Sequence, residues 1–256
     1  MIKVRLNLRK VAAIAACLAV TAMFSGCDKD PKEEDNGGDV GKIEEPAMGN
    51  PYFGHTLNLS GQVYKRIDKI PPFTDPYEKW NGNISQINMW HTWEGKGEIK
   101  NGQLSFQIAN PFDDIEHLST IPEIFEDPNE FFNILFGYED IKYTPSSGVK
   151  GYFTVTLHSY YGEDDDWYDI AKISESAITS ATTYMQINRQ VIFIWVTQDV
   201  QITAKGKKDR FFSDMDIKLK TGWNALYKRE VFPRNKDVPQ IMQLGNPDLK
   251  WVIELD

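Results

Sequence analysis

Residues 97–108 read GEIKNGQLSFQI, and their pattern is that of a β-hairpin. Leu104, Phe106 and Ile108 alternate with Gln103, Ser105 and Gln107, the two-residue period of a half-buried strand. Asn101-Gly102 supplies the positive φ angles of a tight two-residue turn. The same period recurs on both sides of this hairpin. In TLNLSGQVY, Leu57, Leu59 and Val63 alternate with Asn58, Ser60 and Gln62. Phe153, Val155 and Leu157 alternate with Thr154, Thr156 and His158. Residues 191–196, VIFIWV, are apolar at every position, which predicts a central strand covered on both faces. DVQITAKGKKD reads as its neighbour, turning at Gly206. In DMDIKLKTGW, Met215, Ile217 and Leu219 alternate with charges. The closing WVIELD is expected to complete a sheet through Trp251, Ile253 and Leu255.

Helix signals are sparse. DPNEFFNILFGY, residues 127–138, offers Asp127 as N-cap, Pro128 in the first turn and Gly137 as a stop. DDDWYDIAKISES, residues 164–176, reads as a second short helix. Strands in succession with little helical alternation predict an all-β fold. The expected architecture is an antiparallel β-sandwich or barrel-like domain over residues 51–256, with one or two short helices.

The N-terminus has another character. Lys3, Arg5, Arg9 and Lys10 form a basic head, and an apolar run follows from Val11 to Phe24. That plan is a secretory signal peptide, and the run is shorter than the ~20 residues of a membrane span. Phe24-Ser25-Gly26-Cys27 resembles the lipobox of bacterial lipoproteins. The resemblance implies a diacylglyceryl group on the Cys27 sulfur, removal of residues 1–26, and acylation of the new amino group. Two or more acyl chains anchor stably where one is marginal. Cys17 leaves with the signal, so the mature chain has no disulfide and no zinc–thiolate site.

Residues 27–50 are rich in Asp and Glu and lack aromatic residues, as a solvated flexible tether would be. Its reach is roughly 25–30 Å. The net charge is −9, and removal of the basic signal leaves about −13. That balance disfavours nucleic acid and anionic lipid as partners of the body. Acid-rich segments after a lipidated cysteine resemble the surface-export signal of Bacteroidetes lipoproteins. The expected location is the bacterial cell envelope, with the outer membrane or cell surface favoured over the inner membrane, where an Asp after the cysteine means retention in other bacteria. KGEIKNGQLSF, QDVQITAKGK, LKTGWNALY and NPDLKWVIE resemble segments of uncharacterised envelope lipoproteins of spirochaetes and Bacteroidetes. That resemblance implies lipidation and export and carries no catalytic residue.

Nothing in the motifs points to catalysis. His55, His91, His117 and His158 show no helical ligand spacing, and HExxH, GxSxG, P-loop and dinucleotide patterns are absent. Glu163, Asp164, Asp165 and Asp166 cluster without the alternation of a calcium loop. No cofactor or metal is expected. Aromatic residues are the better lead. Trp90 and Trp93 lie near a hairpin edge, and Trp167 and Tyr168 flank the acidic loop. These four are the candidate platform for a sugar ring, with burial in a β core as the competing role. The sequence thus predicts a lipid-anchored ligand-binding or interaction protein. It would touch the membrane through its lipid and take a glycan or an envelope protein as partner. The alternatives are a structural envelope protein and a carboxylate-dependent hydrolase.

Overall fold

A computed structural model describes residues 43–67, 77–89, 95–109, 118–125, 135, 137–154, 156–161, 166–179, 184–234 and 238–254. The first strands are β1 (Tyr52–Gly54), β2 (Leu57–Arg66), β3 (Tyr77–Lys79), β4 (Ile84–Met89), β5 (Lys96–Lys100) and β6 (Gln103–Ile108). Then come β7 (Ser119–Thr120), helix α1 (Ile121–Phe125), β8 (Tyr138–Thr144), β9 (Lys150–Thr154) and β10 (Thr156–Tyr161). The chain continues through β11 (Asp166–Thr179), β12 (Tyr184–Val196), β13 (Val200–Gly206), β14 (Met215–Leu219), β15 (Gly222–Phe232), β16 (Ile241–Leu244) and β17 (Lys250–Ile253).

The expected hairpin is present. Lys100 faces Gln103 across Asn101 and Gly102, whose φ angles are 50° and 75°. It belongs to a closed barrel of seven strands in the order β11, β10, β4, β5, β6, β2, β17, returning to β11. The closing seam joins β17 to β2 and β11. β17 runs parallel to β2, with Trp251 opposite Val63, and antiparallel to β11, with Ile170 opposite Ile253. Inward positions carry Leu57, Leu59, Val63, Leu104, Phe106 and Leu157 among others, so the interior is packed with side chains.

β12 and β15 form a middle layer. Val191, Phe193 and Trp195 pack with the barrel core, while Ile192, Ile194 and Val196 join a second core. β15 divides likewise, with Trp223, Ala225 and Tyr227 on one side and Leu226 on the other. A three-stranded sheet, in the order β14, β13, β8, supplies the far wall of the second core through Ile202, Ile217 and Leu219. Being sandwiched between two cores explains why VIFIWV is apolar throughout. The second core also holds Ile121, Ile124 and Phe125 of α1. The Glu123 carboxylate reaches back over the helix start, as in one half of a capping box: Thr120 N and Oγ1 both donate to Glu123 Oε2, at 2.7 and 2.9 Å.

Three local readings are corrected. Residues 166–176 are not helix but part of β11. Three partner strands hold that segment extended: β10 over 166–171, β17 over 170–173 and β12 over 173–179. Tertiary pairing outweighs helix propensity here. β13 is not the neighbour of β12 but lies across the second core from it, paired with β14 and β8. The short helix that is described, α1, lies upstream of the expected one. Of the latter, residues 127–134 and 136 fall outside the described residues, and Tyr138 begins β8.

Candidate functional site

Residues 43–50, expected to end a free tether, lie against the body as a strap. Ile43 packs on Met185, Ile187, Val231 and Val238. The Glu45 carboxylate accepts from Arg229 Nη1 and, at 2.6 Å, from the Tyr227 hydroxyl. Arg229 Nη2 donates to the Pro239 carbonyl, and Arg189 Nη2 donates to the Glu44 carbonyl at 3.3 Å. Further along, Asn246 N donates to Met48 O at 2.7 Å, and the Met48 side chain packs on the barrel core.

The strands dictate this arrangement. Tyr227 and Arg229 share a face of β15 because they are two residues apart. Register places Arg189 of β12 directly opposite Arg229. Like charges at such a pair repel, and the Glu45 carboxylate offsets them. Burial disfavours the charged form of Arg229 and likewise raises the Tyr227 phenol, the latter opposed by Arg189.

A buried cation lies close by. Lys172 projects from the inward face of β11, 9% exposed, and donates from Nζ to Asn246 Oδ1 at 2.6 Å. Its Nζ stands 5.9 Å from the ring centre of Trp251, whose Nε1 donates to Ser60 O at 3.2 Å. Desolvation lowers the Lys172 pKa, opposed by the charge of Asp248. A lysine with a depressed folded pKa binds fewer protons folded than unfolded, so stability rises with pH through that interval. Lys172→Met is expected to be at least as stable as wild type at pH 7. Its advantage should shrink as pH rises toward the ordinary lysine value, as followed by urea unfolding across the alkaline range. An advantage that grows with pH would contradict the assignment.

The outer wall of the barrel carries a second polar arrangement. Thr156 and His158 lie two residues apart on β10, and Asp169 of β11 is directly opposite His158. His158 Nδ1 is 2.5 Å from Asp169 Oδ1, and His158 Nε2 is 3.1 Å from Thr156 Oγ1. The His158 and Asp169 side chains are 11% and 14% exposed, so the array is sheltered yet open to solvent. Asn88 of β4, also buried, sits directly across from His158 on its other side. The row Asn88, His158, Asp169 therefore crosses three strands on one face.

Of the aromatic candidates, Trp90 and Trp93 lie outside the described residues, as do His91 and His117. Trp167 is in β11 opposite Tyr160, but its side chain is outside the described part. Tyr168 is half-buried and packs against the barrel core. Cys27 precedes the described residues, and so does the remainder of the expected signal and tether up to residue 42. Glu163, Asp164 and Asp165 also lie outside them, while Asp166 opens β11 opposite Tyr161. Among the described residues, no cluster of three or more His, Cys, Asp or Glu gathers as metal ligands. No helix among them is long and apolar enough to cross a membrane. A shallow depression beside α1 is lined by Ile121, Pro122, Tyr143, Pro145 and Val149, without a charged group.

Sequence reading missed Glu45, Arg229 and the Thr156–His158–Asp169 array. Strand alternation already put Thr156 and His158 on one face. Asp169 could join them only through the register of β10 and β11. No family model matches this chain, and no curated protein or solved structure matches it.

Proposed function

We propose that this chain is a lipid-anchored protein of the bacterial cell envelope that presents its β body as a binding or interaction module. Its anchor is the acylated Cys27, and its partner is a glycan or an envelope protein. The clamped strap is the observation that supports this reading most directly. A chain tethered at its N-terminus transmits any pull into the first residues that are fixed to the body. Among the described residues, the strap is joined through Glu45 to Arg229 and Tyr227 on β15, a strand of the middle layer. Load entering there meets a strand paired on both sides, with β12 and β16, rather than an edge.

Intact-mass analysis of the protein purified from its native membrane tests the anchor. The expected mature chain begins at Cys27 and carries the added mass of a diacylglyceryl group with further acylation. Cys27→Ser should leave the membrane fraction. A mature N-terminus elsewhere, or an unmodified Cys27, would refute the reading.

A further inference from the structure

We propose that Thr156, His158 and Asp169 form a nucleophilic relay that transfers small acyl groups from esters, an activity separate from anchoring. The geometry carries the assignment. Asp169 Oδ1, 2.5 Å from Nδ1, accepts the ring proton carried on that nitrogen of His158. The lone pair then lies on Nε2, which faces the Thr156 hydroxyl at 3.1 Å. Hydroxyl, imidazole and carboxylate stand in the order that activates an alcohol for attack, an order recognised by geometry and not by sequence position. The three groups are also held rigidly. All project from paired barrel strands, with His158 and Asp169 on the same cross-strand rung.

The reaction balances with water as the only co-reactant. Thr156 Oγ1 attacks the ester carbonyl carbon while its proton passes to His158 Nε2. The bond from carbon to the leaving oxygen then breaks, and His158 returns the proton to that oxygen. An acyl-threonine remains. Water, deprotonated by the same Nε2, attacks it and releases the carboxylic acid, and the hydroxyl of Thr156 is restored. Asn88 places an amide on the next strand beside His158, the type of donor that can stabilise the oxyanion formed on attack. With the His158 and Asp169 side chains only 11% and 14% exposed, the array suits a small acyl group on an exposed ester, such as the acetyl groups that decorate polysaccharides. Thr156 is the catalytic nucleophile, His158 the general base, and Asp169 a positioning residue.

The test uses the folded mature chain and p-nitrophenyl acetate, with release of nitrophenol followed in time and the acylated peptide located by mass spectrometry. One acetyl group is expected on Thr156 in wild type, and none at that position in Thr156→Val. His158→Gln should slow acetylation of Thr156 by at least ~100-fold. Asp169→Asn should slow it and alter its pH profile, while Thr156→Ser should retain the reaction. Wild-type chain that acquires no acetyl group on Thr156 would overturn the proposal, whatever the variants do. Equal rates of Thr156 acetylation in wild type and His158→Gln would overturn it as well.

Discussion

Gly102→Val is expected to cost about 2–5 kcal/mol, more than a strained turn alone would lose. Two effects add. At φ 75° a β-branched residue pays ~1–2 kcal/mol for the left-handed backbone. A Cβ at this position would also stand 1.9 Å from the Trp80 carbonyl oxygen and 2.8 Å from Gln62 Nε2. Backbone cannot swing away as a flexible side chain can, so the segment from Trp80 to Gly82 must shift. Overpacking of that kind adds ~1–3 kcal/mol. The shift strikes a hydrogen-bonded knot. Gly102 N donates to Gly82 O at 2.9 Å, while Gly102 O accepts from Val63 N at 2.7 Å and from Gln62 Nε2 at 3.1 Å. Gly54 provides the comparison. Its φ is 69°, yet nothing lies within 4 Å of the position a Cβ would take. Gly54→Ala should therefore lose only ~1 kcal/mol, the backbone term. Urea unfolding of both variants decides the matter, and equal losses would refute the collision.

Glu45→Ala is the second large expected effect, at about 2–3 kcal/mol. The cost comes mostly from what is left behind. The Arg229 side chain is 8% exposed, and without Glu45 its buried charge keeps only the Pro239 carbonyl as described acceptor. Breaking a fully buried pair from one side costs 3–5 kcal/mol. The lower figure follows because Glu45 itself is 29% exposed and solvent already screens it in part. Glu44→Ala should change stability by less than ~0.5 kcal/mol, since Glu44 contributes its backbone carbonyl to Arg189. Combining Glu45→Ala with Arg229→Met should recover part of the loss, because no buried cation remains to be left unpaired. Purely additive losses in that double variant would show that the two residues act separately. The effect should also persist in molar salt, which screens surface pairs far more than buried ones.

Much of the fold was legible residue by residue. Asn101-Gly102 specified its turn, the alternation of Met215, Ile217 and Leu219 specified β14, and the all-apolar VIFIWV specified a strand covered on both faces. Each of these is a local property. Turn chemistry depends on two residues, and burial pattern depends on a period that the chain carries wherever it goes. Partner choice is different. DWYDIAKISES carries signals compatible with helix, and three neighbouring strands decide the matter. DVQITAKG reads as a strand, yet its sequence holds no address, so it pairs with β8 and β14 across a core from the neighbour it was expected to have.

The two polar arrangements follow the same division. Glu45 and Arg229 meet across 184 residues of chain, and Glu45 reads as one acid among many in a tether. For the relay, alternation set Thr156 and His158 side by side, but a slip of one residue between β10 and β11 would have sent Asp169 to the other face of the sheet. Sequence alone therefore determined which residues could be strand and turn, because those preferences are written in near neighbours. The closed barrel alone decided which carboxylate meets which cation and which imidazole. Register and closure are set by the sum of many distant contacts and by no single segment.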